Sequence, residues 1–212
     1  VMFNGVDVAR FSPGRRDESQ RCALGFLPED VVFVFAGRIV GLKGLHLAIE
    51  AMAHPRLRGG LARLLIIGSG DALPRLQALA TRIGVTGQIV FHPAVSHKDL
   101  PTLLACGDVG IFPSLGEEAF GISVAEAMAC GLPVVTAYNG GMPEVVGNEG
   151  NCGELFALGD VAACAAAMDE MSRSAERRAA MGLAARQRIE KLFTWRQAAQ
   201  RLLGALSAAE GG

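Results

Sequence analysis

The sequence predicts a doubly wound α/β domain: a parallel sheet with helices on both faces, followed by a helical C-terminal annex. Two patterns carry this. From residue 31 onward, short apolar runs alternate with stretches of helical periodicity. The runs are apolar throughout, without the in-out alternation of a sheet with one wet face, so they are expected to be covered on both sides.

The first run, V-V-F-V-F-A at 31–36, is a predicted strand. L-H-L-A-I-E-A-M-A is the helix after it, ending before Pro55 because the residue ahead of a proline avoids helical backbone angles. R-L-L-I-I at 63–67 is the second strand; Asp71 is expected to cap the next helix, with Pro74 near its first turn. Q-I-V-F at 88–91 is the third, and Ser96 is expected to open a helix running to about Cys106. V-G-I-F at 109–112 and P-V-V-T at 133–136 are the fourth and fifth, separated by the helix that contains Glu126. Beyond Gly153 the pattern is helical to the end. Asp160 caps one helix, Ser174 caps a long arginine-rich one to about Lys191, and Thr194 with Gln197 shows capping-box spacing ahead of the last. The chain divides into a lead-in over 1–30, an α/β core over 31–158 and the annex over 159–212.

Half of the 212 residues are hydrophobic and 19% are charged, a globular composition too apolar for a disordered chain. A net charge of −1 leaves no electrostatic footprint for nucleic acid. No apolar run approaches the roughly 18 residues of a spanning helix. V-M-F-N-G-V-D at the start lacks the charged and apolar regions of a signal peptide. The five cysteines show no C-x-x-C spacing, which fits a reduced, cytoplasmic compartment. The four histidines make no ligand motif and no D-x-D pair occurs, so no metal is expected, and no complete glycine fingerprint follows the first strand, so no nicotinamide cofactor is expected either.

Ligands of such sheets bind beyond the carboxyl ends of the strands, and the loops there carry unusual residues. A-G-R-I-V-G-L-K-G at 36–44 sets Arg38 and Lys43 among glycines, Gly37 first. Two cations beside a closely approachable backbone suit a diphosphate; a solvated surface loop is the competing reading. I-G-S-G-D-A-L at 67–73, which includes Gly68, has Leu73 where a dinucleotide fingerprint has its third glycine, so a tight strand-to-helix turn is the better reading. E-E-A-F-G-I-S-V-A-E at 117–126 places Gly121 at a helix start, where free backbone N–H groups favour an anion. Glu118 precedes that start and Glu126 lies one turn past Ile122. Helical side chains tilt toward the N-terminus, so both carboxylates can serve a hydroxyl-rich ligand. Favourable charge at a helix N-terminus and a solvated helix face are the plain alternatives for Glu118 and Glu126. G-G-M-P-E-V-V at 140–146, with Glu144, is a fourth glycine-rich helix start expected to face the same cleft.

Further stretches complete a pattern: N-G-V-D with F-S-P (4–13), D-V-G-I-F-P-S, A-M-A-C-G-L-P-V-V and the terminal F-T-W. With the loops above, they make nearly the whole chain resemble the C-terminal half of the retaining GT-B glycosyltransferases of group 1, whose E-x7-E motif falls on Glu118 and Glu126. The resemblance implies a Rossmann-like domain that binds a nucleotide-sugar donor without a metal. It implies Arg38 and Lys43 on the donor diphosphate, Glu118 on hydroxyls of the transferred sugar and Glu126 on the ribose; Arg38, Lys43 and Glu118 are the residues it implicates in catalysis. The backbone N–H groups of Phe120, Gly121 and Ile122 would meet sugar and phosphate, with Gly37 and Gly68 beside the donor. Ala119 stands where the family commonly has glycine. N-G-V-D usually follows the family's hinge, so 1–30 is expected to be a post-hinge segment, with the N-terminal acceptor domain of the same enzyme as the missing partner. The chain alone is then expected to bind a donor and transfer no sugar. Through the absent half, peripheral association with the inner face of a membrane is a further expectation. Base recognition is expected from backbone groups around 94–96. A nucleotide-sugar epimerase and a non-catalytic nucleotide-binding module of the same fold are the competing functions; the pairing of the two glutamates with F-G-I argues against the epimerase.

Overall fold

The computed structural model describes residues 4–210. A 3-10 turn at Pro13–Arg15 leads into helix α1 (Glu18–Ala23), capped by Asp17, whose side chain accepts from the backbone N–H groups of Ser19 and Gln20. Strands and helices then alternate: β1 (Val31–Ala36), α2 (Leu45–Met52), β2 (Ala62–Ile67), α3 (Leu73–Arg82), β3 (Ile89–His92) and α4 (Leu100–Ala105). The second half continues with β4 (Val109–Phe112), α5 (Ile122–Ala129), β5 (Val134–Ala137), α6 (Met142–Val146) and β6 (Gly153–Phe156). Helices α7 (Val161–Arg173), α8 (Ala175–Leu192) and α9 (Trp195–Glu210) follow.

The sheet is parallel throughout, in the order β3-β2-β1-β4-β5-β6, with Val31 opposite Ala62 and Gly110 opposite Val134. Every residue of β1, β4 and β5 is buried, as strands covered on both faces must be. Helix α2 packs on α3 and α7, while α5 packs on α4 and α8, which gives the two helical layers. Connections run outward in one direction from β1 and in the other from β4. The order therefore reverses between these two strands, and their carboxyl ends flank an open crevice.

Two charged clusters tie the ends of the chain to this frame. Asp108, just ahead of β4, accepts from the Val32 N–H (2.8 Å) and from the Arg21 (3.0 Å) and Arg16 (3.1 Å) guanidinium groups, fastening α1 to the sheet. Arg186 of α8 donates to the carbonyls of Val8 (2.9 Å), Phe11 (2.6 Å) and Ala129 (2.5 Å), so one side chain ties the N-terminal segment to the end of α5. The Val6 N–H donates to the Phe193 carbonyl at 2.8 Å, bringing N-G-V-D beside F-T-W.

Five strands stand where predicted, within a residue or so, and three helix caps hold. Asp160 accepts from the Ala163 N–H (2.9 Å), Ser174 from the Arg177 N–H (3.1 Å), and the Thr194 N–H donates to the Gln197 side chain (2.9 Å). Three local expectations are corrected, and one helix appears where none was expected or excluded. The region beyond Gly153 is not wholly helical: Gly153–Phe156 is the edge strand β6. It is short and only partly buried, and a Cβ on Gly153 would lie 2.1 Å from the Val134 carbonyl, so close approach to β5 demands the glycine. Helix α1 lies inside the lead-in, where a short helix leaves little periodicity. Asp71 makes no cap; Ala72 holds that position, and the loop is instead fixed by the Ala72 N–H donating to the Ile39 carbonyl at 3.1 Å. Ser96 bonds the Asp99 side chain at 2.7 Å rather than starting a helix, and α4 opens at Leu100.

Candidate functional site

The loops after β1 and β4 meet at the crevice. The backbone N–H groups of Leu115 and Gly116 donate to the Leu42 carbonyl at 2.8 and 2.9 Å, locking the two loops together. A cavity of about 300 Å³ opens there, lined by Asn4, Lys43, Ser114, Glu118 to Val124, Met142 and the apolar floor of Phe35, Ala36 and Phe112. Lys43 and Glu118 form an ion pair in it, their side chains 25% and 22% exposed. The Ser114 hydroxyl donates to the same Glu118 oxygen at 3.1 Å. Asn139, after β5, donates to the carbonyls of Ser114 (3.2 Å) and Gly116 (2.7 Å), and the Gly141 N–H donates to the Glu118 carbonyl at 2.7 Å. The backbone carrying Glu118 is thus held from both sides.

Gly121 is the N-cap of α5 and turns the chain with φ of 74°, a left-handed value that costs a side-chain-bearing residue about 1–2 kcal/mol. A Cβ here would also stand 2.3 Å from the Met142 methyl. The turn presents the first N–H groups of α5, at Ile122 and Ser123, along the cavity wall.

A second cavity, about 270 Å³, shares Ala36 with the first and is bounded by Gly37, Arg38, Gly68, Ser69, Ala94, Val95 and Leu100. Arg38 is exposed and makes no ion pair among the described residues. The two cations of the first loop thus stand at different cavities. Gly68 also has a packing reason: a Cβ there would come within 2.0 Å of the Gly37 carbonyl. The I-G-S-G loop braces the neighbouring loop further, through the Ile39 N–H donating to the Ser69 carbonyl at 2.8 Å.

Glu126 is not a solvated helix residue. It is 6% exposed, it does not line the first cavity, and its Oε1 lies 2.7 Å from His97 Nε2. Burial pushes its pKa up, against the pull of the His97 hydrogen bond and charge. His97 belongs to the loop that bounds the second cavity at Ala94 and Val95. Neither His97 nor Asn139 was legible as a site residue. Ser114 was visible only within F-P-S, four residues ahead of Glu118. The start of α6 faces the crevice as expected, through Met142, while Glu144 is exposed and borders a separate groove against Arg188 of α8. Among the described residues no cluster of His, Cys, Asp or Glu is arranged to hold a metal ion, and no helix is long and apolar enough to cross a membrane.

The strand order and the crevice at its reversal define a doubly wound α/β domain with a cavity at the carboxyl ends of β1 and β4. The chain belongs to the group 1 glycosyl transferases, whose family pattern matches residues 17–188. It is 36% identical to the D-inositol 3-phosphate glycosyltransferase of Mycobacterium marinum, over all of this chain and 45% of that protein. It is 35% identical to the GDP-mannose-dependent alpha-(1-6)-phosphatidylinositol monomannoside mannosyltransferase of Mycolicibacterium smegmatis, over 96% of this chain and 54% of that protein. Among solved structures, Anabaena HepE in complex with UDP and glucose superposes with a TM-score of 0.87 at 27% identity, covering 98% of this chain and 56% of that one. The chain spans about half the length of the relatives it matches.

Proposed function

We propose that the chain is the donor-binding domain of a glycosyltransferase that moves a hexose from a nucleoside diphosphate sugar to an acceptor, with retention at the anomeric carbon. One observation carries this: a cation, a carboxylate and the free N–H groups of a helix start converge on one cavity at the β1–β4 reversal. Lys43 and the α5 N-terminus supply positive charge to the diphosphate, with Arg38 as a second cation from the neighbouring cavity. Glu118 takes hydroxyls of the sugar, Glu126 takes those of the ribose, and the cavity beside Gly37, Gly68, Ala94 and Val95 takes the base. The relatives named above, one GDP-mannose-dependent and one crystallised with UDP, support a donor of this class.

In the transfer, the acceptor oxygen bonds to the anomeric carbon on the face the diphosphate leaves. The bond from that carbon to the phosphate oxygen breaks, and the acceptor proton passes to the departing phosphate. Lys43, Arg38 and the helix start oppose the charge that develops on the leaving group, and no metal is assigned a part. Residues 1–30 serve as the segment after a hinge, 31–158 as the donor-binding core and 159–212 as the helical annex. The acceptor is left to the N-terminal domain of the full-length enzyme, which we place in the cytoplasm with peripheral membrane contact through that domain. Thermal-shift screening against UDP-, GDP- and ADP-sugars tests the donor assignment: one nucleotide series should raise the melting temperature, and none doing so would refute it.

A further inference from the structure

His97 makes three directed contacts although its side chain is 56% exposed. Nε2 lies 2.7 Å from Glu126 Oε1, Nδ1 lies 3.1 Å from Arg10 Nη1, and the ring packs on Phe11 with centroids 5.1 Å apart. These contacts determine where its proton resides. A guanidinium only donates, so Nδ1 must offer its lone pair to Arg10. The proton then sits on Nε2 and is donated to Glu126. Arg10 is itself oriented by Asp7, through an ion pair at 3.8 Å and its own backbone N–H donating to the Asp7 side chain at 3.0 Å. A polar chain therefore runs from the N-terminal segment, through the loop after β3, to the buried carboxylate of α5. Among the described residues, the second oxygen of that carboxylate receives no hydrogen bond.

We propose that His97 is a positioning residue of the donor site, held by Arg10 in its Nε2–H tautomer so that it anchors one oxygen of Glu126 and leaves the other to the donor. This rests on the assignment of Glu126 as a donor contact. Such an arrangement fixes the orientation of the carboxylate. It also makes donor binding depend on Arg10, a residue of the N-terminal segment far from the cavity in sequence.

The test combines spectroscopy with a rescue series. Long-range 1H–15N correlation spectra of the protein should show His97 protonated at Nε2 and bare at Nδ1, and Arg10→Ala should mix the tautomers. His97→Phe keeps the ring against Phe11 but removes the donor, and should weaken binding of whichever of UDP and GDP the protein prefers by about tenfold. His97→Gln, whose amide can donate to Glu126 and accept from Arg10, should recover affinity to within about threefold of the parent. Matched thermal unfolding of the two variants separates positioning from folding. An Nδ1–H tautomer in the parent overturns the proposal. So does unchanged affinity in His97→Phe when Glu126→Gln loses affinity, an outcome that leaves the Glu126 assignment standing. Unchanged affinity in Glu126→Gln overturns that assignment and, with it, the proposal.

Discussion

Glu118→Gln probes the ion pair at the centre of the cavity with little change of shape. The Ser114 hydroxyl, 3.1 Å from Glu118 Oε1, can still donate to the amide oxygen and hold the side chain in place. The substitution removes one negative charge and releases Lys43, whose partner side chain is 22% exposed. A partly exposed pair is worth about 1 kcal/mol at most, so free nucleoside diphosphate should bind up to about fivefold more tightly once Lys43 no longer divides its charge. The sugar nucleotide gains the same increment and loses charge assistance in its hydroxyl contact. Charged hydrogen bonds contribute about 1.5–3 kcal/mol against about 0.5–1.5 for neutral ones, a loss near 1–1.5 kcal/mol. The affinity ratio of sugar nucleotide to free diphosphate should therefore fall by about 5- to 10-fold. Isothermal titration with UDP and UDP-glucose, and with GDP and GDP-mannose, measures both terms. Equal weakening of both ligands would show that Glu118 does not meet the sugar; no change in either would show that it meets neither.

Lys43→Ala should weaken nucleoside diphosphate binding by about 10- to 100-fold in the same titrations, since it removes a charge-assisted contact and leaves Glu118 unpaired beside an anion. Glu126→Gln should weaken binding while improving stability at neutral pH. Burial holds the Glu126 pKa above its ordinary 4.5, so its contribution is full below that value and is lost as pH rises through the folded-state pKa. Urea unfolding at pH 4 and 7 should therefore show a flatter pH dependence for the variant. Gly121→Ala should lower the melting temperature by about 2–8 °C, because the left-handed turn at φ 74° costs about 1–2 kcal/mol with a side chain present. Of the five cysteines only Cys22 is exposed, and burial pushes the Cys130 and Cys164 thiols up to about 12, so native protein should titrate one fast thiol at pH 8 and denatured protein all five.

The sequence by itself determined the parts of this molecule whose cause is local. Apolar runs specified five of the six strands, and Asp160, Ser174 and the Thr194–Gln197 pair marked helix starts, because a strand's apolar run and a helix's cap are written within a few neighbouring residues. The glycine-bearing loops that line the crevice were legible for the same reason, as breaks between such runs. Edge strand β6 was not, since four residues with one buried aromatic carry too little pattern, and only the backbone of β5 at 2.1 Å from the missing Cβ explains Gly153.

Tertiary structure alone decided who meets whom at the site. Lys43 and Glu118 lie 75 positions apart, and His97 and Glu126 lie 29 apart. Their pairing depends on the sheet reversal that sets β4 beside β1 and on the loop that returns from β3. Arg38 and Lys43, five residues apart in one loop, stand at different cavities, and Glu144 borders a groove against α8 rather than the crevice. Charge and hydrogen-bond type are properties of residues; distance and desolvation belong to the fold, and they determine which carboxylate is paired, which is buried and which faces water.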